Sequence, residues 1–377
     1  MANTFITPTA IAKVGILALL NNLCFANLIY RDYSKEFQKV GDFVRVRKPF
    51  TPSAVEFDGD LAGEWQNITE TYIDVKMDTL LVIPLQITSV EQTLDIVDFN
   101  KQVMVPAMQE LSQAIDVKLA QRYKDVPYYS DTTGATAVSD LLDARKIQND
   151  NKVPFGEMRN AVLSPLTSAA VLGLAAFHEV DKVGETKPLR DASLGHKFGY
   201  DFYENQNIQN HVTHASITAD PGGTAAICLA GVTSMLVSAL GAAGTIYQGT
   251  IFTIAGDAQR YVVTADAAIA GAVATISFYP ALKVATPLGT EVVTFKTTAT
   301  TSKENLMFHK NAFAMVSAPM TPPRGGAAGH SETYKGLTLN VIESYEHDKF
   351  TNKLTVSILC GFKTINPELA LRLYDAS

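Results

Sequence analysis

Hydrophobic positions change period several times along this chain, and each change marks an element. Ile11, Val14, Leu17 and Leu20 recur at near-helical spacing, which predicts a helix over 9–29, opened by Thr7-Pro8, whose apolar stripe faces another surface. This helix sits in an N-terminal arm, residues 1–40. Asp42-Phe-Val-Arg-Val-Arg47 then alternates as a half-exposed strand does, and the run from Tyr72 to Ile83 answers it. The two strands flank a long loop, Lys48 to Thr71, with Pro49, Pro52, Gly59 and Gly63 and the acids Glu56, Asp58, Asp60 and Glu64. It is too polar to build a core of its own, and loops of this length are functional or reach another chain.

After Pro84 the period becomes helical. Met104, Met108, Leu111, Ile115 and Leu119 step by four, three, four and four, predicting the longest helix of the chain, which ends near Lys124, with Pro106 near its start. A helix from Ser139 to Asn149, a strand Asn160–Ser164 and a helix Leu166–Phe177 follow. From Thr213 to Thr301 only seven residues are charged (Asp220, Asp257, Arg260, Asp266, Lys283, Glu291, Lys296), amid Ala, Thr, Val and Gly. Four short strands fit there: Thr250–Ile254, Arg260–Thr264, Ala274–Phe278 and Glu291–Phe295. Short strands at regular intervals mean a small sandwich or barrel, and with mixed sequence on both sides it reads as a domain inserted into a host. The host resumes with a strand Asn311–Val316 and a hairpin pattern of Leu337–Ser344 and Lys353–Phe362, and Asn366–Tyr374 forms a short helix or a closing strand.

Composition narrows the chemistry. With 377 residues, 47% hydrophobic and 18% charged, the chain is globular, with room for two or three domains. A net charge of −7 argues against a surface given over to nucleic acid. Cys24, Cys228 and Cys360 are too scattered for a disulfide framework or a cysteine zinc site. Neither a signal peptide nor an uninterrupted spanning helix is expected, so the implied setting is cytoplasmic and no membrane partner is called for. No phosphate-binding glycine motif occurs; Gly325-Gly-Ala-Ala-Gly329 lacks the lysine and follows prolines. His211-Val-Thr-His214, near Asp201 and Glu204, offers two imidazoles for a metal-dependent hydrolase, at a spacing too loose and common to be diagnostic. A surface β protein is a further alternative, weakened by the helical stretch 99–177. Arg45, Arg47 and Lys48 form a basic root and Glu56, Asp58, Asp60 and Glu64 an acidic tip of one loop, a polarity that suits head-to-tail contact between copies.

The stretches Met1-Ala-Asn-Thr with Thr7-Pro8, Gly41-Asp-Phe-Val-Arg-Val-Arg-Lys-Pro49, Gly199-Tyr-Asp-Phe-Tyr-Glu-Asn-Gln-Asn207, Gly249-Thr-Ile-Phe-Thr-Ile-Ala-Gly256 and Tyr279-Pro-Ala281, in this order of elements, resemble the major capsid (coat) proteins of tailed bacteriophages that carry an inserted β domain. The resemblance covers nearly the whole chain. It implies an α+β fold of the HK-ninety-seven type: an N-arm at 1–40, an extended loop at 41–85, a peripheral domain with a spine helix at 86–127 and 330–377, an axial domain at 128–212 and 303–329, and an inserted all-β, barrel-like domain at 213–302. It further implies hexamers and pentamers on an icosahedral lattice, a scaffolding protein, a portal protein, a decoration protein and non-specifically held DNA as partners, and no cofactor or catalysis. The setting would be the virion, assembled in the host cytoplasm. Relatives make charged contacts through the inserted domain; here its few charges leave Asp257, Arg260 and Asp266 as candidates.

Overall fold

The computed structural model describes residues 8–31, 39–40, 43–48, 54–57, 65–68, 71–88, 103–132, 137–155, 158–179, 190–212, 224–240, 244–296, 301–321, 328–349 and 351–376. They fall into two compact units, one of residues 1–23, 30–114 and 314–365, the other of 24–29, 115–313 and 366–377. Among the described residues no helix is long and apolar enough to cross a membrane.

The first unit is organised by the strand Thr351–Thr364, which pairs antiparallel with Thr79–Thr88 and with Leu337–Glu346. Phe313–Ala318 and Ala328–Tyr334 complete a five-stranded sheet. Alternation places Leu337, Leu339, Val341, Val356, Ile358 and Cys360 in the core. The expected hairpin is present, longer than its apolar pattern, and turns at His347–Lys349. Its neighbour turns at Lys335–Gly336, both at positive φ, as two-residue hairpin loops require. A Cβ on Gly336, at φ +77°, would stand 2.5 Å from the Arg31 carbonyl oxygen. Gly336→Ala is therefore expected to lower stability by about 2–4 kcal/mol, combining left-handed strain with a backbone clash, as read by urea denaturation.

The N-terminal helix runs Pro8–Asn22, breaks at Leu23-Cys24 and resumes for one turn at Phe25–Leu28, rather than continuing from 9 to 29. Its buried face is Ile11, Ala12, Ile16, Leu19 and Leu20, while Val14 and Leu17 are exposed. A strict three-residue step falls about 60° short of a full turn each time, so the expected stripe slides off the face; the four-three rhythm keeps to it. Gly15 allows the close fit, for a Cβ there would sit 3.0 Å from Leu339 and 3.4 Å from the Met108 sulfur.

A three-stranded sheet of Lys39–Val40, Phe43–Lys48 and Thr71–Lys76 carries the long loop. Val44, Val46 and Val75 pack with Ala314, Val316 and Ile365. The run expected as one strand, 72–83, changes partners at Met77-Asp78: Thr71–Lys76 pairs with Phe43–Lys48, and Thr79–Thr88 with Thr351–Thr364.

The long helix is Val105–Ala120, and the division between the units falls inside it. Met104, Met108, Leu111, Ile115 and Leu119 are all buried, as their spacing predicts. Pro106 sits in the first turn, where a missing N–H has no helical partner to lose. A 3₁₀ turn, Gln121–Asp125, ends the element.

The second unit contains a seven-stranded mixed sheet in the order Tyr129–Thr132, Ala370–Ala376, Thr301–His309, Arg159–Leu163, Tyr200–Glu204, His196–Lys197, with Asn210–Val212 also pairing Thr301–His309. The helices Val138–Asp150, Pro165–Leu172 and Ala175–His178 belong to this unit, and residues of all three share a core with the sheet through Leu141, Ala144, Val171, Phe177, Phe202, Met307 and Leu371. Ser164 caps the second of these by accepting from the Thr167 N–H, and Gly173 ends it, so the helix expected over 166–177 is two.

Two segments depart from the expected partition. Ala370–Ala376 pairs with Thr301–His309 instead of joining the 337–364 hairpin, and Ala314–Ala318 belongs to the first unit's sheet rather than to an axial domain. The central strand Thr301–His309 is absent from the apolar pattern, because Lys303, Glu304 and Asn305 interrupt it; Glu304 and Asn305 are nevertheless buried. Asn305 answers its burial by accepting from the Ser164 N–H and donating to Thr167 Oγ1.

Between Val212 and Thr301 the described residues form only strands: a six-stranded sheet and the pair Gly244–Ile246 with Ala267–Ile269. All four expected strands are there. Phe252, Tyr261, Phe278 and Phe295 fill a separate core.

Candidate self-association surface

The basic root of the loop is built on the paired strands. Arg45 stands opposite Asp74 in register and donates to it at 3.1 Å, both side chains about half exposed, with the guanidinium 5.9 Å from the Tyr72 ring. An exposed pair of this kind contributes little to stability. Arg47 and Lys48 continue the strand, opposite Tyr72 and Thr71. Of the acidic tip, Glu56 is exposed, and Asp58, Asp60 and Glu64 lie outside the described residues.

What the charge pattern missed is apolar. Phe57 is 67%, Ile68 79% and Trp65 81% exposed, with Val55 beside them in sequence. A signal was available: Trp65 is the only tryptophan of the chain, and it stands in a Pro- and Gly-containing segment that cannot bury it locally. Covering such side chains contributes about 25 cal/mol per Å² of apolar surface.

The three charged candidates of the β segment are occupied within the chain. Asp257 accepts from the Tyr261 hydroxyl and the Gln259 N–H, and Asp266 from the Gln248 N–H at 2.7 Å. Arg260 donates to the Tyr129 carbonyl and lies 4.2 Å from the centre of its ring. Exposed apolar residues stand elsewhere on this segment, at Ile227, Leu229, Val284 and Leu288.

Of the histidine pair, His211 alone is among the described residues. His211 is buried, its Nδ1 3.1 Å from the Tyr123 hydroxyl, and burial together with the charges of Arg372 and Lys124 holds its pKa down to about 3. It is a neutral core residue. His214 lies outside the described residues, among which no group of three or more His, Cys, Asp or Glu could hold a metal ion. Asp201 bonds His196 at 2.7 Å, and Glu204 accepts from Ser168.

One buried carboxylate organises the short helix Phe25–Leu28. Asp116 accepts from the N–H groups of Cys24 and Phe25 at 3.0 and 3.1 Å and from Asn205 at 3.1 Å, acting as a cap borrowed from a distant helix. Burial raises its pKa to about 6, and burial with the Asp116 charge pushes the Cys24 thiol up to about 11, which leaves that thiol inert. Because the folded state holds the Asp116 proton more tightly than the unfolded chain, its stabilising contribution is full below pH 3.8 and is lost as pH rises through about 6. Against Asp116→Asn, the wild type is expected to lose about 3 kcal/mol of relative stability between pH 3.8 and pH 7, measured by denaturation at a series of pH values.

No family model matches the chain, and no curated protein matches it by sequence. Among solved structures it is similar to a chain from Mycobacterium phage Che8, at 14% identity and a TM-score of 0.50, with 93% of this chain and 90% of that one covered. It is also similar to the capsid of the cyanophage P-SCSP1u (11% identity, TM-score 0.46, 89% and 84% covered) and to that of Ralstonia phage GP4 (10%, 0.44, 93% and 88%). At these identities the likeness speaks for the fold, and the Che8 chain carries it. The architecture is that of the tailed-phage major capsid proteins that the order of elements in the sequence resembles.

Proposed function

We propose that this chain is a major capsid protein that assembles into hexamers and pentamers of an icosahedral shell enclosing phage double-stranded DNA. The observation that carries the reading is the likeness of fold, which runs along 93% of the chain and not over one motif. The role is structural. Residues 1–40 act as the arm, 41–85 as the extended loop, 86–127 with 314–365 as the peripheral domain, 128–212 with 303–313 and 366–377 as the axial domain, and 213–302 as the inserted β domain. Inter-subunit contact falls to the loop, through Arg45, Arg47 and Lys48 at its root and Glu56, Asp58, Asp60 and Glu64 at its tip. To these we add Phe57, Trp65 and Ile68, whose exposure a neighbouring copy relieves. Scaffolding and portal proteins, a decoration protein and packaged DNA are the partners such a shell meets, in the host cytoplasm and then in the virion. Sedimentation velocity and electron microscopy of the purified chain, alone and coexpressed with a scaffolding protein, test this. Closed particles or capsomers support it, and monomers in both conditions overturn it.

A further inference from the structure

Several described contacts of the β segment with the rest of its unit fall on one short stretch, residues 124–129, where the long helix gives way to the first strand of the mixed sheet. Three separate parts of the segment converge there. Arg260, which opens one of its strands, donates to the Tyr129 carbonyl with its guanidinium 4.2 Å from the ring centre, and Lys296, just past its last strand, places its ammonium 4.8 Å from the same ring. Gln259 reaches the Tyr128 hydroxyl at 3.4 Å. At the third part, Gly249 lies so close to Lys124 that a Cβ would stand 3.0 Å from its Cγ and 3.2 Å from its Cα, at a φ of +95°. The Gly249 carbonyl is held at 2.8 Å by Arg372, whose Nε donates to the Val126 carbonyl at 2.9 Å. Arg372 thus ties the segment and its seat together from a buried position.

We propose that this seat, with Tyr129 gripped by Arg260 and Lys296 and Gly249 bolted by Arg372, fixes the direction in which the β segment projects, so that Arg260 and Lys296 are positioning residues and not contacts to another subunit. Two cations on one aromatic ring, partly desolvated, give an interaction that single removal weakens and double removal abolishes. The inference concerns a single unassembled chain and stands whether or not the chain builds shells.

The test uses the full-length chain with Cys24, Cys228 and Cys360 replaced by alanine and spin labels on Asp143→Cys and Thr275→Cys, both exposed positions, one on the host and one on the β segment. Pulsed electron spin measurements are expected to give one narrow distance distribution. In Arg260→Ala/Lys296→Ala the population outside that peak is expected to rise about tenfold or more. Tyr129→Leu, which removes the ring and keeps both cations, is expected to do the same, so the reading does not depend on one variant folding well. A broad distribution in the unmodified seat, or a narrow one that neither variant changes, overturns the proposal.

Discussion

Arg372→Met is expected to lower the unfolding free energy at pH 7 by about 3–5 kcal/mol. Arg372 is buried on the strand Ala370–Ala376, and its guanidinium serves the Val126 and Gly249 carbonyls, faces the Tyr123 ring at 5.2 Å and lies 3.7 Å from Glu304. Without it two carbonyls lose a donor and Glu304, buried and already raised in pKa by desolvation, loses the one charge that opposes that rise most strongly. A carboxylate so placed takes up a proton instead, so the deficit of Arg372→Met shrinks as pH falls toward 4.5, the ordinary value of the group. The double variant Arg372→Met/Glu304→Leu is expected to recover part of the loss at pH 7, since two apolar groups strand no charge. Urea denaturation of the wild type, both single variants and the double variant measures this; a single variant within 1 kcal/mol of wild type, roughly the ceiling for an exposed pair, would show that the pair is not desolvated in solution.

Phe252→Ala is expected to cost about 3–5 kcal/mol, confined to the β segment. Its ring is fully buried and meets Tyr261 at 5.4 Å, Phe278 at 5.6 Å and Phe295 at 5.7 Å, so one substitution empties the centre of a four-ring cluster that includes residues of four strands. Because this core is separate from that of the mixed sheet, hydrogen exchange should quicken in Ile251–Ile254, Arg260–Val263 and Val293–Phe295 while Arg159–Leu163 keeps its protection. Equal quickening in both regions would mean that the two cores unfold together.

These two residues mark how far the sequence could be read. The helix 105–120 is legible because Met104, Met108, Leu111, Ile115 and Leu119 repeat one period without interruption, and the four strands of the β segment because each is a short β-branched and aromatic run between Gly- and Pro-containing breaks. Thr301–His309 is not, since the pattern rule assumes that charge faces water, and Glu304 is paired with Arg372 from the far end of the chain, a partner that no local window contains. The destination of Ala370–Ala376 is hidden for a similar reason: sequence proximity places it with the 337–364 hairpin, whereas its hydrogen bonds go to Thr301–His309 and Tyr129–Thr132. At the candidate surface, attention to charge finds Arg45 and Glu56 and passes over Trp65, although an aromatic residue in a Pro/Gly loop is the stronger mark of a contact.

Trp65 also supplies the most direct measurement, since it is the only tryptophan and is 81% exposed in the single chain. Its emission, followed while particles form and checked against sedimentation of the same samples, should move to shorter wavelength and lose its accessibility to acrylamide in step with assembly. Particles in which Trp65 keeps the emission and quenching of the free chain would contradict the claim that this loop joins one copy to the next.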